Sequence, residues 1–311
     1  MLFFYVLYAI VAQDTNPGVH YIMTKTIILT IDVEDWFQVE NFKSHIPYES
    51  WNNREFRVTK NTNRILDLLD SVELKNTAKP KATFFILGWL AERFPNLVTE
   101  IVSRGHEVAS HGQNHHMCSS LPKEELIKDL SDSRKLLEDI TGTKISGYRA
   151  PSFDINDDDL KIIEDCGYHY DSSFNSFSAH GRYGTIDLKP YKKKGIAYKI
   201  SENFFEIPVS NLSIKGKIIP WGGGGYFRLT PSIIFQKGVR SILKNEDAYL
   251  FYTHPWEFDP DQPRVEEAST FFKFRHYVNL NKTQNKLLQL IETFSNYNFI
   301  SCHEYLGKLN I

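Results

Sequence analysis

The chain has 311 residues, 41% of them hydrophobic and 14% aromatic, with a formal net charge of -2. It can bury a sizeable core and is long enough for one large α/β domain or two smaller ones, and without a global basic field it is not expected to bind nucleic acid. Three widely spaced cysteines, Cys118, Cys166 and Cys302, form no CxxC pair, which argues against a disulfide framework or a cysteine zinc cage.

The first segment, MLFFYVLYAIVA, is too short to span a bilayer and has no basic residue ahead of it. Met23 opens MTKTIILTIDVEDW, so residues 1–22 are read as a non-core extension and 23–311 as the folded unit. A cytoplasmic location follows from that reading, with export or membrane association through residues 1–22 as the alternative. KTIILTID reads as a buried strand with carboxylates at its C-terminal end. NTNRILDLLDSV carries Ile65, Leu66, Leu68 and Leu69 at helical spacing, KATFFILG is a second strand, and PNLVTEIVSRG is a helix closed by Gly105. HEVASHG is a third strand. The next helix runs from Pro122, in its first turn, to Gly142; ISGYRAP is a short strand and NDDDLKIIEDCGY another helix. Such alternation predicts a parallel sheet or barrel.

From about residue 185 the pattern loosens into strands, including FFEIPVS, and glycine loops, including Gly222 to Gly225. Lys192, Lys193 and Lys194 read as a solvated loop. AYLFYTHPW restores a buried strand, and a last helix, TQNKLLQLIETF, precedes FISCHEYL. With no internal repeat and no low-complexity linker, one domain is expected.

His111 and His115 lie four residues apart, a spacing that puts both imidazoles on one face of a helix. Asp32, Glu34 or Asp35 can add a carboxylate from another element, and the set suits a divalent metal with an open position. Asp32, His111, Arg149 and His254 all fall at or just past a predicted strand C-terminus, the rim on which loops converge in barrels and parallel sheets. Trp36, Trp221, Tyr226 and Trp256 offer flat surfaces that either stack on a ligand or plug the core. His45, His116, His169, His180, His276 and His303 have no partner in this pattern and are assigned to surface or core.

TIDVEDW, SHGQNHH, GYRAPSF, YDSS and YTHPW, in that order, resemble the five motifs of the NodB-type polysaccharide deacetylases, carbohydrate esterase family 4, over roughly residues 25 to 260. DVEDWF, GGGGYFRLTP and HPWEFDPDQPR are similar to a subgroup associated with bacterial exopolysaccharide and O-antigen gene clusters, whose extra C-terminal region lies within 185–311 and covers the remainder to 311. The resemblance implies a single distorted (β/α) barrel with fewer than eight regular units. It also implies removal of N-acetyl groups from a sugar in a bacterial polysaccharide or its precursor. A related C–N hydrolase of a small amide or cyclic imide, or an inactive saccharide-binding relative, is the alternative. Membrane contact would arise only through a lipid-linked substrate.

By position the resemblance makes Asp32 the general base, Arg149 the cation that holds it, His254 the general acid, Asp171 the acid that orients His254, and the Ser152 N–H the oxyanion donor. It makes His111, His115 and one carboxylate the ligands of a divalent metal, expected to be Zn²⁺, which would polarise the carbonyl and acidify a water. The family has adjacent aspartates where this chain has Asp32 and Val33. Strand alternation sends Asp32 and Glu34 to one side, so Glu34 is the preferred ligand and Asp35 the next. Trp36, Tyr226 and Trp256 are the candidate substrate-stacking residues.

Overall fold

The computed structural model describes residues 25–177 and 183–310; the expected extension at 1–22 lies outside the described residues. Strand β1, Thr26–Val33, is buried at every position. Its alternate residues go to two different places. Ile27, Leu29, Ile31 and Val33 pack with the outer helices, whereas Ile28 joins Phe85, Ala109, Phe205 and Leu250 inside the curled sheet. A strand buried on both faces belongs in the middle of a parallel sheet, and β1 does.

Four βα units follow. Strands β2 (Thr83–Ile86), β3 (Glu107–Ser110), β4 (Gly147–Tyr148) and β5 (Tyr170–Asp171) alternate with helices α1 (Val58–Ser71), α2 (Gly88–Arg93), α3 (Pro95–Ser103), α4 (Lys123–Thr141) and α5 (Asp157–Asp165). Local chemistry sets their ends. Asn156 and Asp159 form a reciprocal capping box on α5, and Gly142 ends α4 in the left-handed conformation at φ 66°. Pro122 stands one residue before α4 as its N-cap rather than inside its first turn.

Beyond β5 come β6 (Lys192–Lys194), β7 (Ala197–Lys199), β8 (Phe205–Glu206), the hairpin β9 (Asn211–Ile214) and β10 (Lys217–Pro220), and β11 (Ala248–Thr253). Helices α6 (Gly224–Leu229), α7 (Ser232–Asn245), α8 (Thr270–Tyr277) and α9 (Leu280–Thr293) precede β12 (Asn298–Ile300) and α10 (Cys302–Lys308). The main sheet runs β11-β1-β2-β3-β4-β5-β8-β7-β6, parallel from β11 to β8. It curls without joining β6 to β11, so the fold is α/β, a distorted open (β/α) barrel with fewer than eight regular units. β12 takes the half of one β1 edge that β2 leaves free: Thr26 to Ile28 pair with β12 and Thr30 to Val33 with β2.

Three expectations need correction. The lysine run forms an exposed edge strand, where charged side chains oppose pairing with another chain. The glycine run is loop only at Gly222 and Gly223, while Gly224 and Gly225 open α6. Gly223 has φ 145°, and a Cβ there would lie 1.9 Å from the Tyr252 carbonyl oxygen, so the close approach of this loop to β11 requires glycine. Helices α7 and α8 lack a predicted counterpart. Among the described residues no helix is long and apolar enough to cross a membrane.

Candidate active site

The inward-facing set on β1 ends in Thr30 and Asp32, with Glu34 just past the strand, and these three begin the site. Glu34 Oε1 lies 3.1 Å from His111 Nε2 and 3.0 Å from His115 Nε2. His111 follows β3, and its Nδ1–H donates to the Arg149 carbonyl at 2.8 Å, which turns Nε2 towards the carboxylate. Two imidazole nitrogens turned on one carboxylate oxygen form a buried nitrogen–oxygen donor set suited to a divalent cation. Burial opposes the charge of Glu34, but His115 and His254 and the bonds from both rings hold its pKa well below the ordinary carboxylate value.

The two histidines do not share a helix. The chain from Gly112 to His115 is a loop in which Gly112 (φ 78°) and His115 (φ 58°) are left-handed. The Asp129 carboxylate on α4 accepts from Gln113 N and Asn114 N, while the N–H groups of Gly88 and Trp89, at the start of α2, donate to the Gly112 and Gln113 carbonyls. The loop thereby turns His115 back towards His111.

Asp35 points elsewhere. Its carboxylate accepts from the backbone of Trp36, Arg57 and Val58, which fastens the start of α1, and burial raises its pKa to about 6.

Asp32 sits between two cations. Arg149 Nη1 donates to Asp32 Oδ1 at 2.7 Å and to Thr30 Oγ1 at 2.7 Å; its Nε and Nη2 donate to the carbonyl and hydroxyl of Ser172. The guanidinium is fully buried and lies 4.2 Å over the Phe85 ring. Asp32 Oδ2 faces His254 Nε2 at 3.9 Å.

His254, just past β11, donates its Nδ1–H to Glu257 Oε1 at 2.8 Å, and Glu257 Oε2 accepts from Arg228 Nε at 2.8 Å. Burial lowers the basicity of His254, but Glu34, Glu257 and Asp32 outweigh it and raise its pKa to about 9. Asp171 is therefore not the partner of His254. Its carboxylate accepts from the Ser173 N–H and hydroxyl, and it is paired with Glu206, whose pKa is driven well above the carboxylate range by burial and the Asp171 charge. Ser173 in turn receives the Ala150 N–H, so Asp171 braces the chain that carries Arg149.

Asp32, Glu34, His111, His115, Ser152 and His254 all line one open cleft. Ser152 and Phe153 both have left-handed backbones, at φ 58° and 59°, and the Ser152 N–H has no acceptor among the described residues. Of the expected aromatic platforms only Trp256 reaches the cleft. It stacks between His254 (5.1 Å) and His276 (4.2 Å). Trp36 is buried against Phe37 with its N–H on the Glu55 carbonyl, Tyr226 turns its ring towards Phe177, and Trp221 stacks on Phe235 in the core. Sequence reasoning missed Glu257, Arg228, Arg275 and the cleft position of His276. Glu257 had a signal: in HPWE it stands three residues after His254, the spacing of a capping box.

The curled parallel sheet thus carries a buried two-histidine, one-carboxylate cluster beside an Asp–Arg pair and a carboxylate-bound histidine. Residues 24–170 match the family model described as polysaccharide deacetylase, and residues 172–307 match a domain of unknown function, DUF3473. Residues 24–170 therefore form a polysaccharide deacetylase domain of the NodB type, carbohydrate esterase family 4. It is 34% identical over 134 residues to a peptidoglycan deacetylase-like protein of Gibberella zeae, covering 42% of this chain and 38% of that one. Over 107 residues it is 34% identical to a peptidoglycan-N-acetylglucosamine deacetylase of Bacillus cereus, covering 34% and 47%. The match thus spans less than half the length of either relative. The fold is similar, at TM-score 0.59 and 16% identity over 95% of this chain and 94% of the other, to a Mycobacterium smegmatis protein described as a candidate polysaccharide deacetylase. The two family models meet inside one sheet, since β5 pairs with both β4 and β8.

Proposed function

We propose that the protein is a divalent-metal-dependent hydrolase that removes the N-acetyl group from an N-acetylated sugar in a polysaccharide or its precursor. The observation that carries this reading is the convergence of Asp32, the Glu34–His111–His115 cluster and His254 on one cleft. Glu34, His111 and His115 would hold the cation, which supplies Lewis acidity towards a carbonyl and lowers the pKa of water.

The chain's own groups supply the proton transfers. Arg149 fixes Asp32 Oδ1 and leaves Oδ2 towards the cleft, where it takes a proton from the water whose oxygen bonds to the acetamide carbon. The unbonded Ser152 N–H suits the negative charge that develops on the carbonyl oxygen. His254, kept protonated by Glu257, Glu34 and Asp32, gives its Nε2 proton to the nitrogen as the C–N bond breaks. Acetate and a free amino sugar result. The forms GGGGYFRLTP and HPWEFDPDQPR support a bacterial exopolysaccharide or O-antigen precursor as the physiological substrate, and Zn²⁺ suits the nitrogen-rich donor set.

The test is acetate release from N-acetylated saccharides with and without chelator. Chelation is expected to abolish release and Zn²⁺ or Co²⁺ to restore it. Full activity in stripped protein would overturn the metal, and hydrolysis of cyclic imides without acetate release would overturn the substrate class.

A further inference from the structure

The catalytic cleft continues past the barrel rim. Glu40, Asn41 and Arg275 line both the cleft and a shallower groove outside it, whose other walls are Lys43, Ser44, Phe271 and Phe272. One wall is helix α8, and Arg275 is its one residue common to both spaces.

The backbone at Arg275 is fixed while its side chain is not engaged. Arg228 donates through Nη2 to the Arg275 carbonyl at 3.1 Å and through Nη1 to the carbonyls of His276 and Val278. The same guanidinium holds Glu257, so α8 is tied to the turn that carries His254. The Arg275 guanidinium itself makes no hydrogen bond or ion pair with any described residue. Arginines with structural roles here behave differently: Arg57, Arg149 and Arg228 each have a carboxylate partner. The acid that lines the groove, Glu40, faces Lys43 at 3.7 Å rather than pairing with Arg275.

We propose that Arg275 recognises an anionic group on the substrate, a carboxylate or phosphate on or beside the sugar whose acetamide reaches Asp32 and His254. A planar guanidinium presents paired N–H donors that match the oxygens of either anion, and its place at the junction sets the anion just outside the reacting centre. Substrates with such a group are then held in register by the C-terminal region, which supplies α8, rather than by the barrel that does the chemistry. The inference rests on the deacetylase reading for the sugar and on Arg275 alone for the anion.

The probes are N-acetylglucosamine 1-phosphate, N-acetylmuramic acid and neutral N-acetylglucosamine. Their affinities are measured on zinc-loaded Asp32→Asn protein, with and without Arg275→Gln, so that the result does not depend on turnover. The anionic sugars should bind more tightly than the neutral one, and Arg275→Gln should narrow that ratio roughly 10-fold for at least one anion. The anion with the larger change identifies the source, phosphate or carboxylate. Arg275→Lys should keep part of the preference, and added salt should reduce it. An unchanged ratio in folded Arg275→Gln protein, or no preference for either anion in its absence, overturns the proposal. Should Arg275→Gln fail to fold, an Arg275→Lys protein with the full ratio under low and high salt alike would do the same. Absence of acetate release from every sugar by the unmutated protein, with the anion preference intact, would instead reject the deacetylase reading and leave the anion site standing.

Discussion

Asp32 and Glu34 are separated by a residue whose side chain packs the other way. Val33 lies with the outer helices, so both carboxylates turn inward and Asp35 turns back to fasten α1. Glu34→Gln should therefore weaken Zn²⁺ binding by at least about 10-fold, because a neutral oxygen replaces a charged ligand, whereas Asp35→Asn should leave affinity within a few-fold. Asp35→Asn should cost about 1–2 kcal/mol in denaturant unfolding instead, since one oxygen and an amide replace two acceptors that serve three backbone N–H groups. The opposite ranking in a metal titration would move the ligand role to Asp35. The inward turn of Glu34 was legible because it follows from the two-residue period of a strand. The outward partner of Asp35 was not, because Arg57 and Val58 arrive from beyond a long loop that carries no periodic signal.

The short turn after β11, Pro255–Phe258, brings Glu257 onto His254. Oε1 of that one carboxylate receives the ring Nδ1–H, the backbone N–H of His254 and the Thr253 hydroxyl, and Arg228 of α6 takes Oε2. Glu257→Gln keeps an acceptor for the ring but removes a charge that raises the His254 pKa. The protonated acid is then lost at lower pH, so the alkaline limb of the kcat/KM profile should move down. Asp171→Asn should leave that limb in place, because Asp171 touches Ser173 and Glu206 rather than the ring. A shift with Asp171→Asn alone would return the orienting role to Asp171. At this scale the sequence was a partial guide. Strands such as β1 and helices such as α4 announced themselves through apolar runs and terminal glycine. The loop between His111 and His115 did not, because i,i+4 spacing is shared by helices and by a turn with two left-handed residues. Helix α8 was also hidden: Phe271 and Phe274 are 63% and 57% exposed, so its apolar residues do not trace a core-facing stripe.

For the molecule as a whole, stability should depend on His106. The ring is buried beside β2, accepts the Ala82 N–H through Nδ1 at 3.3 Å, and is held to a pKa of about 4 chiefly by desolvation. It stays neutral in the folded protein while an unfolded chain takes up a proton near pH 6.5. Its contribution is thus complete above about pH 6.5 and is lost progressively as pH falls towards 4, by up to about 3 kcal/mol. In urea unfolding between these limits, His106→Gln should flatten the decline relative to the unaltered protein; an equal slope would assign the decline to other groups. The parallel barrel itself was legible from alternating elements. The closing strand pairings were not, because nothing local in Asn298–Ile300 says that it will lie beside Thr26.

That pairing bears on how the protein comes into being. β1 has neighbours on both edges that are synthesised long after it: Thr30 bonds to the Phe251 carbonyl across 221 positions, and β12 arrives later still. While the ribosome is at work, a strand buried at every position in the folded protein waits with the β11 edge and the β12 half of the other edge open, and contacts between such distant residues form slowly. Asp32 is made early and His254 late, so a nascent chain holds one side of the cleft long before the other. The cleft they share is therefore complete only after β11 has been made and has joined β1.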